Sequence, residues 1–301
     1  MVHRKKGRPV NGWVIMDKPV GLTSAAVVNK VRRAFQAQKA GHAGTLDPAA
    51  TGVLAVALGE ATKTIQFVTA ALKCYDFTIR FGQATGTDDA EGTVTDTSDV
   101  RPSDAEIIAA LSTFTGDIMQ IPPAFSAVKI DGQRAYRLAR DGTAPKCAAR
   151  PLYVDGLTLL SRPNADHARL ELVCGKGGYV RAIARDLGRA LGTCAHVLRL
   201  RRTWSGPFTA AAAVTCDRIE ALAHTPELDT FLHPLEAGLT SLPRVIVSEV
   251  AAGRIRNGNP AEVVISNADF GETVLALCKG RPLAIGTCRA GRLVPSRVFT
   301  L

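Results

Sequence analysis

The sequence predicts an α+β fold with a β-rich C-terminal module, on three observations. In KCYDFTIRFG (residues 73–82), Tyr75, Phe77, Ile79 and Phe81 sit on alternate positions, the two-residue period of a strand that buries one face. Val27, Val28, Val31 and Phe35 recur instead at helical spacing, behind Thr23 or Ser24 as the cap. After Leu242-Pro243 the chain changes character: one short helical stretch, Ser248 to Asn257, gives way to β-rich runs at 263–266, 273–279, 283–288 and 293–299. The 301 residues, 46% of them hydrophobic, suffice for a large domain and a small one.

Taken in order, residues 1–9 are basic and aperiodic and read as an arm. GWVIMDK (12–18) reads as a strand stopped by Pro19. The capped helix follows, its outer side showing Lys30, Arg32, Arg33 and Lys39. The short apolar run VLAVAL (53–58) reads as a buried strand and EATKTIQF (60–67) as a helical turn. TDDAEGTVTD (87–96) lacks the ligand order and closing glutamate of a calcium loop, so a solvated hairpin is expected. Ser103 and Glu106 form a capping box that opens a helix to about Phe114, with Gly116 as its stop. Residues 151–160 and 168–174 read as paired strands, and GKGGY (175–179) as a tight turn into a helix from Val180 to Leu191. No GKS or GKT string is present, which argues against a phosphate-loop ATPase.

Charge narrows the class of function. With 37 Lys/Arg against 27 Asp/Glu the formal net charge is +10, which points to an anionic partner, nucleic acid or membrane surface. Residues 1–40 carry nine basic side chains against Asp17, and residues 176–202 carry seven against Asp186; residues 82–117 carry eight acids against Arg101. One face turned to phosphates and another to water would produce that asymmetry. No stretch reaches the apolar length of a membrane span, and Asp17 and Lys18 interrupt the run from Trp13 to Met16, so a cytoplasmic protein is expected. Seven cysteines without a CxxC pair and six histidines without HxxxH spacing predict free thiols and no metal.

One acidic side chain stands out. Asp47 lies within GHAGTLDPAATG (41–52), between glycines that permit unusual backbone angles and beside Pro48, just before the buried strand. On loop chemistry alone Asp-Pro is a common turn pair and Asp47 needs no further role. Lys18 likewise reads as a strand-end surface lysine, His42 as a hydrogen-bonded loop histidine, and Tyr75 as core.

The motifs change that reading. GHAGTLDPAATGVL (41–54) is similar to the catalytic motif of the TruB family of tRNA pseudouridine synthases. The resemblance extends through DKPVGLTS (17–24), the Lys-x-Tyr of 73–75, QIPPAFSAVK with DGQRAYRLARDG (120–142), GKGGYVRAIARDLG (175–188) and CAHVLRLRRTW (194–204). It implies a catalytic domain over 10–242, with a mixed or antiparallel central sheet flanked by helices. Within that domain, 124–150 would be a basic mobile segment closing over an RNA stem-loop. Residues 243–301 resemble a PUA-type RNA-binding module. By the same resemblance Asp47 is the catalytic carboxylate, Arg181 pairs with it, and Tyr75 lies against the target base. His42, Lys18, Tyr179 and Leu200 are substrate-binding: His42 touches RNA near the flipped nucleotide, Lys18 supports the site through its Lys-Pro pair, Tyr179 neighbours Arg181, and Leu200 lines the pocket. Arg199, Arg201 and Arg202 would meet RNA or face water.

The implied substrate is the T-arm of tRNA, at uridine 55, read as a folded shape. The reaction breaks the bond from ribose C1′ to uracil N1 and remakes it to C5, so it needs no redox change, energy input or cofactor. Asp47 serves as nucleophile or as a base toward the ribose. Nothing in the sequence requires a dimer, and a monomer is expected. Two rivals stand beside this reading: a non-catalytic tRNA-binding chaperone on the same scaffold, and a base-excising hydrolase. The hydrolase would want a second carboxylate, and none lies near these motifs in sequence.

Overall fold

The computed structural model describes residues 7–126, 128–130, 132–141, 147–266 and 268–301. The first strand, β1 (Gly12–Lys18), leads into α1 (Ser24–Ala34), capped by Thr23, whose hydroxyl accepts from Ala26 N at 3.1 Å. There follow β2 (Ala40–Ala43), β3 (Thr51–Leu58), α2 (Ile65–Ala70) and β4 (Lys73–Phe81). The hairpin β5 (Gln83–Thr85) and β6 (Val94–Thr97) precedes α3 (Asp104–Leu111), which opens on the expected Ser103–Glu106 capping box. Next come β7 (Gly116–Gln120), the small hairpin β8 (Lys129–Ile130) and β9 (Gln133–Arg134), and α4 (Ala135–Arg140). The long pair β10 (Arg150–Asn164) and β11 (His167–Cys174) leads to α5 (Val180–Ala190) and β12 (Ala195–Ser205). Short elements β13 (Phe208–Thr209), β14 (Val214–Thr215) and α6 (Cys216–Ala221) close this part.

Ten of these strands make one mixed sheet in the order β14-β1-β3-β12-β4-β11-β10-β7, with β13 against β12 and β2 against β3. β1 with β14 and β3 with β12 run parallel; β12 with β4 and β4 with β11 run antiparallel. On one face Phe77, Ile79 and Phe81 pack with Ile107 and Leu111 of α3 and Ile183 and Leu187 of α5. Elsewhere Val27 and Val31 of α1 pack on Val14, Met16, Leu54 and Val56. Residues 53–58 are all buried because β3 is covered on both faces, which is why its sequence is continuously apolar while that of β4 alternates.

The remaining strands, β15 (Arg244–Ile246), β16 (Ala261–Glu262), β17 (Ile265–Ser266), β18 (Thr273–Cys278), β19 (Arg281–Arg289) and β20 (Arg292–Val298), form a second sheet with α7 (Glu249–Arg256) beside it. This sheet shares a core with the large one. Leu275, Ile285 and Phe299 join Trp13, Ile15 and Leu235 in one cluster. Lys63 Nζ donates to Val298 O at 2.7 Å, and Glu60 Oε2 accepts from Thr300 N at 2.8 Å.

Two expectations need correction or limits. The hairpin at 87–96 is not simply solvated. Val94 to Thr97 are exposed, but Asp89 is 8% exposed, and Arg181 and Arg185 of α5 reach into the turn, where Asp89 and Asp88 pair with them. Of the basic segment 124–150, Lys146 and the side chains of Lys129, Arg134 and Arg140 lie outside the described residues, as do residues 1–6 of the basic arm. The described part carries β8, β9 and α4, with Val128 and Ala135 buried.

Ile285→Ala should lower the free energy of unfolding by about 2–5 kcal/mol, the range for emptying a core position of this size. Because Trp13 lies in the same cluster, tryptophan fluorescence and far-ultraviolet circular dichroism should shift together in urea. A second sheet that unfolded by itself would separate the two transitions.

Candidate active site

The loop that carries Asp47 is held from both ends. Gly44 adopts φ +84° and Gly52 φ +100°, and a Cβ on Gly52 would stand 2.2 Å from Arg202 O, so a side chain there would break the pairing of β3 with β12. Ala50 N donates to Asp47 O at 3.1 Å, closing a turn. Ser24 Oγ bonds both the N–H and the carbonyl of Leu46 at 2.9 Å.

Lys18 sits beneath this loop rather than at the surface. It is fully buried, and its ammonium donates to Pro19 O (2.8 Å), Leu22 O (2.6 Å) and Pro48 O (3.1 Å). Burial pushes its pKa down to about 8, opposed chiefly by Asp47. A lysine enclosed in this way cannot touch RNA, which corrects its expected place among the substrate-binding residues and leaves it a clamp on the Asp47 loop.

Above the loop lies a cavity of about 240 Å³ bordered by Asp47, Lys73, Tyr75, Tyr179, Leu200 and Arg202, with Gly175 to Gly178 and Arg181 completing it. That is below the roughly 300–1,000 Å³ of pockets for drug-sized ligands and suits a single base. Arg181 Nη2 is 2.7 Å from Asp47 Oδ2. The arginine side chain is 7% exposed and the aspartate 43%, so one end of the pair is fixed in protein while the other opens to the cavity. Arg181 also donates to Thr87 O and Phe125 O, each at 2.9 Å, and lies 3.6 Å from Asp89 Oδ2. Such a half-exposed pair adds little stability; its effect is to set the carboxylate's direction.

The other residues read from the sequence divide clearly. Tyr75 is 7% exposed on β4, and burial raises its pKa, opposed first by Arg202. Tyr179 is placed by its backbone, whose N–H donates to Gln120 Oε1 (2.9 Å) while its carbonyl accepts from Gln120 Nε2 (3.1 Å). Leu200 lies opposite Phe77 across β4 and β12 and borders the cavity. His42, on β2 opposite Val56, is half-buried and outside the cavity lining, its pKa lowered by burial and then by Arg202. Arg201 pairs with Asp17 through two bonds of 2.9 and 2.8 Å, and Arg199 is exposed. Arg202 neither meets solvent nor is available to RNA from outside: it is 1% exposed and donates to Val53 O and Gly44 O.

The sequence reading placed three residues outside the pocket: Arg202, grouped with arginines that meet RNA or water; Lys73, named only within the Lys-x-Tyr motif; and Asp89. Lys73 and Arg202 carried a signal, since each stands two positions along a strand from a recognised residue, Tyr75 or Leu200, and so shares its face. Asp89 carried none; one acid among many, it reaches the site only because the hairpin folds onto α5.

Comparison with known proteins decides the family. Residues 32–180 match the model of the TruB family pseudouridylate synthase N-terminal domain, and residues 181–240 match the tRNA pseudouridylate synthase B C-terminal domain. The tRNA pseudouridine synthase B of Dinoroseobacter shibae is 64% identical over 299 residues, covering 99% of this chain and 98% of that protein. The chain belongs to the TruB family. A namesake from Caulobacter vibrioides is 48% identical over 309 residues and covers both chains fully. Among solved structures, a Cbf5–Nop10–Gar1 complex matches with TM-score 0.74 at 25% identity, over 96% of this chain and 84% of that one. An H/ACA ribonucleoprotein bound to a substrate RNA containing 2′-deoxyuridine shares the fold, with TM-score 0.75 at 22% identity over 100% and 92% of the two chains. The two family models meet at 180/181, at the start of α5, so both contribute strands to the one large sheet.

Lys73 provides a test of the site's electrostatics. Burial, with Arg202 second, lowers its pKa from 10.5 to about 8. Between those values the unfolded chain holds a proton that the folded protein lacks, so stability attributable to Lys73 rises with pH. Urea unfolding of the wild type and Lys73→Met should therefore show the wild type gaining relative stability from pH 8 to pH 10.

Proposed function

We propose that this protein isomerises uridine 55 in the T-loop of tRNA to pseudouridine, with Asp47 as the carboxylate that handles the link between ribose and base. The observation that carries the proposal is Asp47 opening onto a base-sized cavity while a nearly buried Arg181 holds it at 2.7 Å. Relatives named tRNA pseudouridine synthase B, matching nearly the whole chain, support the substrate class.

The target base leaves its stack, at a cost of a few kcal/mol, and enters the cavity. Asp47 acts at the ribose, the bond from C1′ to N1 breaks, the base turns, and C5 bonds to C1′. A proton then leaves C5 and N1 gains one. Tyr75 supplies a ring face for the uracil and a hydroxyl for the C5 proton. Tyr179 and Leu200 shape the pocket, and His42, neutral near pH 7, fills the gap left in the RNA stack. Exposed Lys39, Lys176 and Arg199 contribute phosphate affinity. The second sheet serves as a PUA-like RNA-binding module. The protein acts as a cytoplasmic monomer.

Asp89 alters the hydrolase rival, because a second carboxylate does approach Asp47 through Arg181. Its side chain is only 11% exposed and already accepts from Thr87 Oγ1 and Glu91 N, so it is not placed to activate water. We assign it to the orientation of Arg181.

A tRNA transcript with tritium at uracil C5 tests the reaction. Wild type should release tritium with no free uracil, and Asp47→Asn should release none while binding tRNA normally. Free uracil would establish hydrolysis instead, and binding without tritium release from wild type would leave only a tRNA-binding protein. Asp89→Asn should lower kcat by up to about a hundredfold with little change in tRNA affinity, as expected when an oriented group is displaced slightly.

A further inference from the structure

We propose that Arg202 is the fixed counter-charge for the ionised Tyr75 hydroxyl in the step that removes the C5 proton, an assignment that rests on the function proposed above. Tyr75 and Arg202 are direct Cα partners across the antiparallel pair β4–β12, so both side chains rise from the same face of the sheet toward the cavity they line.

The guanidinium is unusual in what it lacks. Arg181 and Arg185, the other arginines of the site region with nearly buried side chains, each have a carboxylate within 3.1 Å. Arg202 is more deeply buried than either, yet among the described residues no carboxylate pairs with it. Two carbonyls, Val53 O at 2.8 Å and Gly44 O at 3.0 Å, take its Nε and Nη2. Its Nη1 is left on the side of Gly44, where a Cβ would stand 3.3 Å away. Lys73 repeats the pattern on the same strand face: buried, with its ammonium on Thr69 O (2.8 Å) and Ala71 O (2.7 Å) and no acid partner among the described residues. Asp47, the carboxylate in the lining, is engaged by Arg181.

A buried cation without an anion costs several kcal/mol unless something compensates it. Two of them at one end of a cavity create a preorganised positive potential, suited to negative charge that exists only during reaction. Tyr75 is the ionisable hydroxyl paired across the strands with Arg202. Its burial favours the phenol, and Arg202 is the strongest influence in the opposite direction. In the step itself, the phenolate takes the proton from C5 of the ring already bonded to C1′. The electron pair of that C–H bond restores the C5–C6 double bond and leaves N1 anionic, and N1 takes a proton from the new phenol, either directly or through solvent that accepts the phenol's proton. The net change is one proton moved from C5 to N1, with Tyr75 regenerated.

Single-turnover rates on transcripts carrying uridine, C5-deuterated uridine or 5-fluorouridine at the target test the assignment. Arg202→Met should slow conversion of uridine about a hundredfold, the usual scale for impaired proton transfer, and should expose a primary deuterium isotope effect. Consumption of 5-fluorouridine, which has no proton to lose at C5, should stay close to the wild-type rate. Replacing Tyr75 by 3,5-difluorotyrosine, a more acidic phenol, should restore part of the loss. Equal slowing on uridine and 5-fluorouridine, or no isotope effect, would overturn the assignment, because a structural defect does not discriminate between the substrates. Should Arg202→Met not fold, Arg202→Lys carries the same comparison, with a smaller loss expected. Failure of wild type to convert uridine would instead overturn the proposed function.

Discussion

A single guanidinium, that of Arg181, is where the separate parts of this chain meet. It leaves the first turn of α5, is almost fully enclosed, and bonds the Asp47 loop, the hairpin turn at Thr87 and Asp89, and the carbonyl of Phe125. A charge that deep must have each of its donors met. Meeting them brings together segments between 56 and 134 residues away in sequence. The direction of the Asp47 carboxylate is therefore a property of the assembled fold. Isolated loop chemistry would not set it.

Beneath that contact the sheet provides rigidity. β3, β12 and β4 are neighbours, and they carry the end of the Asp47 loop, Leu200 with Arg202, and Lys73 with Tyr75 respectively. Side chains that alternate along β4 and β12 face the cavity in register, so one face of two strands supplies most of its polar floor. Gly52 lets β3 approach β12 closely, and Lys18 ties Pro48 to the segment before α1. Structure and site are thus joined by backbone contacts as much as by the side chains that line the cavity.

The net charge of +10 also needs a more careful reading than composition allows. Lys18, Lys73, Arg181 and Arg202 are all buried, so part of the excess works inside the protein. Exposed Arg32, Arg33, Lys39, Lys176 and Arg199 are among the side chains open to phosphates. Interior cations orient or stabilise charge in a medium of low polarity, where each acts far more strongly than at a salt-screened surface. The two populations cannot be told apart by counting.

Periodicity and capping made the elements legible. β4 alternates, α1 repeats at helical spacing behind Thr23, and the Ser103–Glu106 box opens α3, because these patterns follow from backbone geometry within a few residues. The motif around Asp47 named the family, and the spacing of Leu200 and Tyr75 already carried the positions of Arg202 and Lys73 for a reader who counted by twos. Other features were beyond local pattern. The burial of Lys18, the approach of Asp89 and the lack of a carboxylate partner for Arg202 among the described residues depend on which distant segments pack together. A sequence records the identity of a charge, and only the tertiary structure decides whether water or protein surrounds it.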